Sequence, residues 1–233
     1  MKSTRRLLPR TPRSRRDSMD GVNMRLTALE REALQVFREG RAPAPLACSD
    51  DPARAWALFG LHIGLRASAV VRHGEVGLAE SDVETKADGS PATQLEHDVE
   101  TMVREALEVF APGTALIGEE TGGELPRRGT CLAIDPVDGT WAYLGGTSSY
   151  STTIALIEDG VGTLGVVAAP ADGRITYATE GTARVLQLSV FGEPDAAHDL
   201  AVSDTLDPIL VNLHAGQAVQ DHSDESCRRP SLP

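Results

Sequence analysis

The chain has 233 residues, of which 41% are hydrophobic, and it carries a formal net charge of -12 at pH 7. This length allows one globular domain, or two, with a buried core. The acidic excess argues against nucleic acid or an anionic membrane surface as the main partner of the folded part. The sequence also contains no apolar run near the roughly 18 residues that a membrane-spanning helix needs.

Two features of the sequence bear on where the protein acts. Its three cysteines, Cys48, Cys131 and Cys227, lack metal or redox spacing, so we expect reduced thiols in a cytoplasmic protein. Residues 1–25 are rich in arginine, and we interpret them as a disordered basic tail, with a transit peptide or a nucleic-acid-binding arm as the alternatives. The apolar stretch of a secretory signal is absent there, because the Leu-Leu pair is followed by Pro9.

Three helices are predicted in the first half of the chain. Residues 27–39 predict a short helix within a variable N-terminal segment, 26–50. The second helix covers residues 52–74, with acidic residues before it and Pro at its first position. Its aromatic residues are expected in the core. The third helix, 93–110, has apolar residues at helical intervals and ends before Pro112.

The start of the third helix contains a residue with two interpretations. Thr93 and Glu96 match the capping box Thr-x-x-Glu, which accounts for Glu96 in structural terms. We give this structural role and a catalytic role equal weight. His62 and His73 lack partners at ligand spacing and are expected to have no functional role.

The second half of the chain predicts antiparallel strands. Residues 151–158, 161–168 and 174–179 form strands separated by Gly-containing turns, and a further strand follows Gly181. The folded domain is therefore placed at residues 51–203. From residue 204 we expect the start of a truncated second domain or a disordered tail.

The most informative stretch joins two apolar runs that both end at carboxylates. Residues 131–134 lead directly to Asp135 and, three positions later, Asp138, while residues 115–117 lead to Gly118 and then Glu119. If the two strands are neighbours, these three carboxylates converge at one sheet edge. Two carboxylates about 4 Å apart repel by roughly 4 kcal/mol at an effective dielectric of 20, so they must protonate or bind cations. Oxygen ligands favour Mg²⁺ over Mn²⁺ or Ca²⁺ here.

Two other interpretations of the Asp-Pro-Val-Asp-Gly-Thr stretch were weighed. The first is a merely structural turn, because Asp, Pro and Gly are all common in turns. The second is the Asp-x-Asp-Gly-Thr motif of phosphatases that form an aspartyl-phosphate. We reject that motif because Asp135 and Asp138 are three residues apart, and the motif separates its two acids by two.

These residues give the chain a resemblance to a known family. Residues 117–120, Ile-Gly-Glu-Glu, and residues 133–140, Ala-Ile-Asp-Pro-Val-Asp-Gly-Thr, resemble the two signatures of the inositol monophosphatase family of Mg²⁺-dependent, lithium-sensitive phosphatases. Residues 86–91, Lys-Ala-Asp-Gly-Ser-Pro, are similar to a third segment of that family. The resemblance implies an α/β fold, a layered αβαβα sandwich of the sugar-phosphatase type, with the second α/β domain incomplete in this chain.

The resemblance also implies a set of metal ligands. Glu119, Asp135 and the backbone carbonyl of Val137 would bind one Mg²⁺. Asp135 would bridge to a second Mg²⁺, which Asp138 would also bind.

The remaining roles implied by the resemblance concern water and phosphate. Thr140, oriented by Glu96 and helped by Glu119, would position the attacking water. The backbone N–H groups of Gly139 and Thr140 would bind phosphate oxygens.

The function implied is a Mg²⁺-dependent phosphomonoesterase for a small polyol, sugar or nucleotide phosphate, commonly a homodimer in this family. Three features depart from the family pattern: Glu96 replaces the usual Asp, Trp141 replaces a small or polar residue, and a later Trp-Asp motif is absent. The alternative is therefore a catalytically impaired, truncated remnant that binds metal without turnover.

Overall fold

The fold was described from a computed structural model that covers residues 26–74, 83–87, 89–179, 181–190 and 193–199. The predicted tails 1–25 and 204–233, with Cys227, lie outside the described residues. The helices are α1 (Ala28–Arg38), α2 (Pro52–Gly74), α3 (Gln94–Phe110) and α4 (Thr140–Leu144), with a 3-10 turn at Leu46–Cys48. The three predicted helices are confirmed.

The strands form a two-stranded hairpin and a seven-stranded sheet. They are β1 (Val83–Thr85), β2 (Pro91–Thr93), β3 (Ala115–Gly118), β4 (Thr130–Asp138), β5 (Ser151–Glu158), β6 (Val161–Ala169), β7 (Arg174–Thr179), β8 (Thr182–Val190) and β9 (Glu193–Asp199). The large sheet has the order β3-β4-β5-β6-β7-β8-β9. Its β3 and β4 are parallel and every later pair is antiparallel, as predicted for a meander. The predicted α/β class is confirmed.

Helices α2 and α3 cover one face of the sheet, and the main core lies between these helices and the sheet. The aromatic residues predicted to face the core do so: Phe59 stacks on Phe110 with ring centroids 4.3 Å apart, and Trp56 packs edge-on against both rings. Helix α2 lies so close to β6 that a Cβ added at Gly60 would be 2.7 Å from Leu164. Small residues at this contact therefore set the distance between helix and sheet.

Helix α1 is joined to strands β7 and β8 of the large sheet by a buried ion pair and a hydrogen bond. Thr27 and Glu30 form a capping box at the start of α1. The Glu30 carboxylate also accepts a hydrogen bond from Arg184 Nε in β8 at 2.7 Å and one from the Tyr177 hydroxyl in β7 at 3.1 Å. Because Ala33 and Leu34 enter the main core as well, α1 is part of the same folded unit as the sheet.

Two further expectations concern the described part of the chain. Cys48 is exposed and Cys131 is buried, and neither forms a disulfide, as expected. None of the described helices is long and apolar enough to cross a membrane.

His62 is buried in α2, where burial and the nearby Arg66 charge lower its pKa to about 4.

Candidate active site

The parallel pairing of β3 and β4 brings their ends to the same edge of the sheet. Gly118 pairs with Ile134, and the Glu119 N–H donates to the Ile134 carbonyl at 3.1 Å, which extends the register by one residue. Glu119 therefore directly follows β3, while Asp135 lies beside it within β4, which continues to Asp138 instead of ending at residue 134 as predicted. The Glu119 carboxyl group is close enough to raise the pKa of Asp135. The sequence predicted that three carboxylates converge here. The structure brings Glu119 and Asp135 together, but it does not gather Asp138 with them into a three-carboxylate group that could hold a metal ion.

Asp135 and Asp138 are separated by an irregularity in β4. Asp135 pairs with Thr153 and Asp138 pairs with Ser151, so β4 has one more residue in this interval than an even ladder would need. Pro136 lies inside it, as expected for a residue that cannot donate to the ladder. A bulge of this kind redirects side chains at the end of a strand. Asp138 is exposed, and its charge still acts on Asp135.

Asp135 has the most strongly perturbed acidity at this edge. Burial is the largest cause that raises its pKa. The neighbouring Glu119 carboxyl group and the charges of Glu119, Asp138 and Glu96 raise the pKa further, to about 9. Its Oδ1 atom is buried and has no hydrogen-bond partner. Negative charges this close favour either the protonated form of Asp135 or a bound cation.

A lysine contributes positive charge to this acidic edge. Lys86 Nζ lies 2.8 Å from Glu119 Oε1 and 2.6 Å from Glu120 Oε1. Burial alone lowers the pKa of Lys86, but its hydrogen bonds and ion pairs with both glutamates outweigh burial and raise the pKa above its usual value. Lys86 is therefore a charged ammonium beside Glu119.

Of the two interpretations that the sequence left open for Glu96, the structure confirms the capping role, and it also brings Glu96 into contact with Thr140. Its Oε2 accepts hydrogen bonds from the Thr93 N–H at 2.5 Å and the Thr93 hydroxyl at 2.8 Å, which completes the capping box. Its Oε1 accepts a hydrogen bond from the Thr140 hydroxyl at 2.8 Å. Glu96 is fully buried, and burial raises its pKa. The side chain is long enough for one oxygen to cap α3 while the other contacts Thr140.

The turn between β4 and α4 places Thr140 and the first N–H groups of α4 at the site. Gly139 has φ +95°, and a Cβ there would lie 2.7 Å from the Ser149 carbonyl, so glycine is required. The Thr140 hydroxyl also lies 3.1 Å from the Val137 carbonyl. Helix α4 is anchored to the core by Tyr143, whose hydroxyl donates to the Val71 carbonyl at 2.9 Å.

Comparison with known proteins assigns this arrangement to a family. The sequence profile of the inositol monophosphatase family matches residues 59–229, which is more than half of the chain. The chain belongs to the inositol monophosphatase family. The resemblance seen in the sequence motifs is thereby confirmed.

Curated members of the inositol monophosphatase family that resemble this chain are phosphatases with different names. A histidinol-phosphatase of Mycobacterium tuberculosis is 37% identical over 60% of this chain and 50% of the relative. The 3'(2'),5'-bisphosphate nucleotidase CysQ of Escherichia coli is 33% identical over 63% of this chain and 59% of the relative. The chain thus spans about half the length of the curated relatives that it matches.

A solved structure of the same kind supports the fold. SuhB of Mycobacterium tuberculosis aligns with a TM-score of 0.51 and 23% identity, over 66% of this chain and 54% of that one. At this identity the similarity concerns the fold alone.

The acidic edge was tested for its fit to the Mg²⁺ ions that the family resemblance implies. Within the described residues, no group of three or more His, Cys, Asp or Glu side chains is arranged to hold a metal ion. The donors themselves nevertheless fit a hard cation, because Asp135 Oδ1 is buried without a partner and its carboxyl group contacts that of Glu119. A cation at this edge would relieve the repulsion between the two carboxylates.

Lys86 was not predicted as a site residue. The signal available was its place in the segment 86–91, which resembles the family, but nothing in that segment indicated which residues Lys86 contacts. Its partners lie 33 and 34 positions further along the chain, and pattern reasoning about local structure does not reach that far.

Proposed function

We propose that this chain carries the catalytic edge of a Mg²⁺-dependent phosphomonoesterase. The observation that carries the proposal is the proximity of Glu119, which follows β3, to Asp135 in the neighbouring parallel strand β4, together with the Thr140 hydroxyl that is held by Glu96. Three relatives are named for a phosphatase activity. They are a histidinol-phosphatase, a bisphosphate nucleotidase and an inositol-1-monophosphatase of Mycobacterium leprae.

Four groups of this chain would hold the metal. Glu119 and Asp135 supply the two carboxylates that lie close together, and the family resemblance adds the carboxylate of Asp138 and the carbonyl of Val137 as further hard oxygen donors. When bound, Mg²⁺ supplies charge that offsets the phosphate oxygens and eases the loss of a proton from the attacking water. The elevated pKa of Asp135 means that metal binding must displace a proton, so affinity rises with pH.

Thr140 positions the attacking water. Its hydroxyl donates to Glu96 Oε1, which leaves the lone pairs of Oγ1 free to accept a hydrogen bond from water. This fixes the direction in which the water oxygen presents its own lone pair. The N–H groups of Gly139 and Thr140 then bind the phosphate oxygens at the turn into α4.

The proposed partners are small. We expect a phosphorylated metabolite of the polyol, sugar, nucleotide or amino-alcohol class as substrate, because the relatives' names span histidinol phosphate, nucleotides and inositol phosphate. The free thiols and acidic charge favour a cytoplasmic protein without nucleic acid or membrane as its main partner. A homodimer is proposed from the family resemblance.

The experiment is phosphate release from histidinol phosphate, adenosine 3',5'-bisphosphate and inositol 1-phosphate, with and without Mg²⁺. The variant is Asp135→Asn, and its matched control is Asp172→Asn, which changes an exposed aspartate in the β6–β7 turn. We expect Mg²⁺-dependent release from at least one substrate and a loss of about a hundredfold or more in Asp135→Asn. Equal turnover by wild type and Asp135→Asn would sink the proposal. Mg²⁺ binding without turnover would instead support the metal-binding remnant.

A further inference from the structure

Helix α3 carries a second buried carboxylate that the proposed mechanism does not use. Glu100 is fully buried and lies one helical turn after Glu96, so the two side chains share one face of α3. Its carboxylate accepts three hydrogen bonds: from the Glu120 N–H at 2.6 Å, the Thr121 N–H at 3.1 Å and the Thr121 hydroxyl at 2.5 Å. All three donors belong to the loop that follows β3, immediately after Glu119.

The same carboxylate lies against the residue that precedes Glu119. A Cβ added at Gly118 would lie 2.1 Å from Glu100 Oε2 and 2.5 Å from Oε1, so only glycine leaves room for it. The loop itself closes tightly, because the Gly118 N–H donates to the Gly122 carbonyl at 3.1 Å and the Gly122 N–H donates back at 3.0 Å. Glu119 is therefore flanked on both sides by backbone that Glu100 contacts.

The other backbone contact of Glu119 fixes it to the sheet. Its N–H donates to the Ile134 carbonyl at 3.1 Å, on the strand that carries Asp135. With Glu100 on one side and β4 on the other, the backbone at Glu119 has little freedom to rotate. That restraint fixes the direction in which the Glu119 side chain leaves the backbone.

A carboxylate is a costly choice for a role that is only structural. Burying two carboxylates one turn apart on α3 brings like charges together and removes both from water. Three donors offset the desolvation of Glu100, and charge-assisted hydrogen bonds to backbone N–H groups are the strong kind. The arrangement uses both oxygens as acceptors, which an amide side chain does not reproduce because one of its two ends only donates.

We infer that Glu100 is a positioning residue that sets the direction of Glu119 by holding the backbone of residues 118–121. Helix α3 then orients both parts of the site, Thr140 through Glu96 and Glu119 through Glu100. The inference rests on the proposed function in one respect: it takes Glu119 as a ligand of the divalent cation.

The test compares Glu100→Gln with Glu105→Gln, which makes the same change of charge at an exposed position of α3. Mn²⁺ binding is measured by isothermal titration calorimetry, and amide hydrogen exchange is followed for residues 117–123. In Glu100→Gln we expect the Kd for Mn²⁺ to rise about 10- to 100-fold, the scale seen when groups behind a metal ligand are changed. Exchange at Glu120 and Thr121 should accelerate. At saturating Mn²⁺, kcat should fall with little change in the KM for substrate, and Glu105→Gln should match wild type throughout.

Thr121→Val provides a second variant that removes one donor from an exposed loop residue. It decides the question if Glu100→Gln does not fold: a several-fold rise in the Kd for Mn²⁺ with faster exchange at Glu120 supports the inference, and an unchanged Kd overturns it. An active enzyme whose Glu100→Gln variant binds Mn²⁺ as wild type does also overturns it, while the proposed function stands. If Mn²⁺ binding is weakened in Glu100→Gln but the wild-type protein has no phosphatase activity, the inference stands and the proposed function fails. A wild-type protein that binds no Mn²⁺ overturns the inference together with its premise.

Discussion

The Thr140 hydroxyl donates a hydrogen bond to Glu96 Oε1 at 2.8 Å. This hydrogen bond determines the direction in which the lone pairs of Thr140 Oγ1 point. Replacing Thr140 by Val keeps the shape of the side chain and removes the hydroxyl. We expect kcat to fall by about 10²- to 10⁴-fold, the range for losing a group that handles the proton of the attacking water. Steady-state phosphate release at saturating Mg²⁺ measures the change.

Thr140→Ser is the control for that substitution, because it keeps the hydroxyl and removes only a methyl group. It should retain most of the wild-type kcat. If the Val and Ser variants are equally active, the hydroxyl has no part in positioning water, and the hydrogen bond to Glu96 is only structural.

Alanine substitutions at Gly118 and Gly165 test how closely Glu100 approaches the end of β3. A Cβ at Gly118 would lie 2.1 Å from Glu100 Oε2, whereas a Cβ at Gly165 in β6 meets no heavy atom within 4 Å. We expect Gly118→Ala to lower the free energy of unfolding by about 1–3 kcal/mol, the usual cost of overpacking.

Gly165→Ala is the matched change in the same sheet, and it should leave stability unchanged or raise it by up to about 1 kcal/mol because strand glycines are entropically costly. Urea denaturation of both variants gives the comparison. Equal effects would contradict the contact between Glu100 and Gly118.

The residues of the site differ in how far the sequence predicted them. Glu119, Asp135 and Asp138 were predicted from the apolar runs that precede them, although β4 continues to Asp138 and does not end at residue 134 as predicted. Glu96 was predicted with two roles, and its length allows both. Glu100 was not predicted, because helical periodicity shows which apolar residues face the core but not which charged residue accompanies them.

At the scale of elements, α1 depends on one buried ion pair. Burial by itself raises the pKa of Glu30, but the hydrogen bonds from Arg184 and the Thr27 backbone outweigh it, so the pKa lies below its usual value. A carboxylate with a depressed pKa contributes stability above its unfolded-state pKa of about 4.3, and that contribution is lost as pH falls through the folded-state pKa.

Glu30→Gln should therefore lower the free energy of unfolding by about 3–5 kcal/mol at pH 7, because Arg184 is left buried without its charge partner. Below about pH 4 the difference from wild type should shrink, since the unfolded wild-type chain then binds a proton at Glu30 that the folded state, with its lower pKa, resists. Urea denaturation from pH 3 to 7 measures both effects.

Glu32→Gln is the control on the same helix, because Glu32 pairs with Arg54 near the surface, where an ion pair contributes under about 1 kcal/mol. A difference between Glu30→Gln and wild type that stays constant down to pH 3 would contradict the role of the Glu30 charge.

The elements themselves were largely predictable, and their irregularities were not. Capping residues, prolines and glycines marked the ends of α1, α2 and α3 and the turns of the meander. The irregular register between Asp135 and Asp138 depends on the partner strand β5, so it has no signature within β4 alone. The docking of α1 depends on Arg184, which lies 154 positions after Glu30, and no local pattern shows so distant a partner.

At the scale of the whole molecule, the fold serves to bring two strand ends together. Helices α2 and α3 cover one face of the sheet, β3 and β4 run parallel beside them, and α3 supplies Glu96 and Glu100 from the same face. The family was predictable from two short motifs because those motifs contain the strand ends themselves. The particular substrate was not, because the motifs describe the phosphate end of the site and not the alcohol it carries.

The most direct measurement is a crystal structure of the protein grown with Mn²⁺, with anomalous difference maps recorded at the manganese absorption edge. The account predicts an anomalous peak at coordination distance from both Glu119 and Asp135, and loss of that peak in Asp135→Asn. A wild-type map with no peak beside these two carboxylates would contradict it.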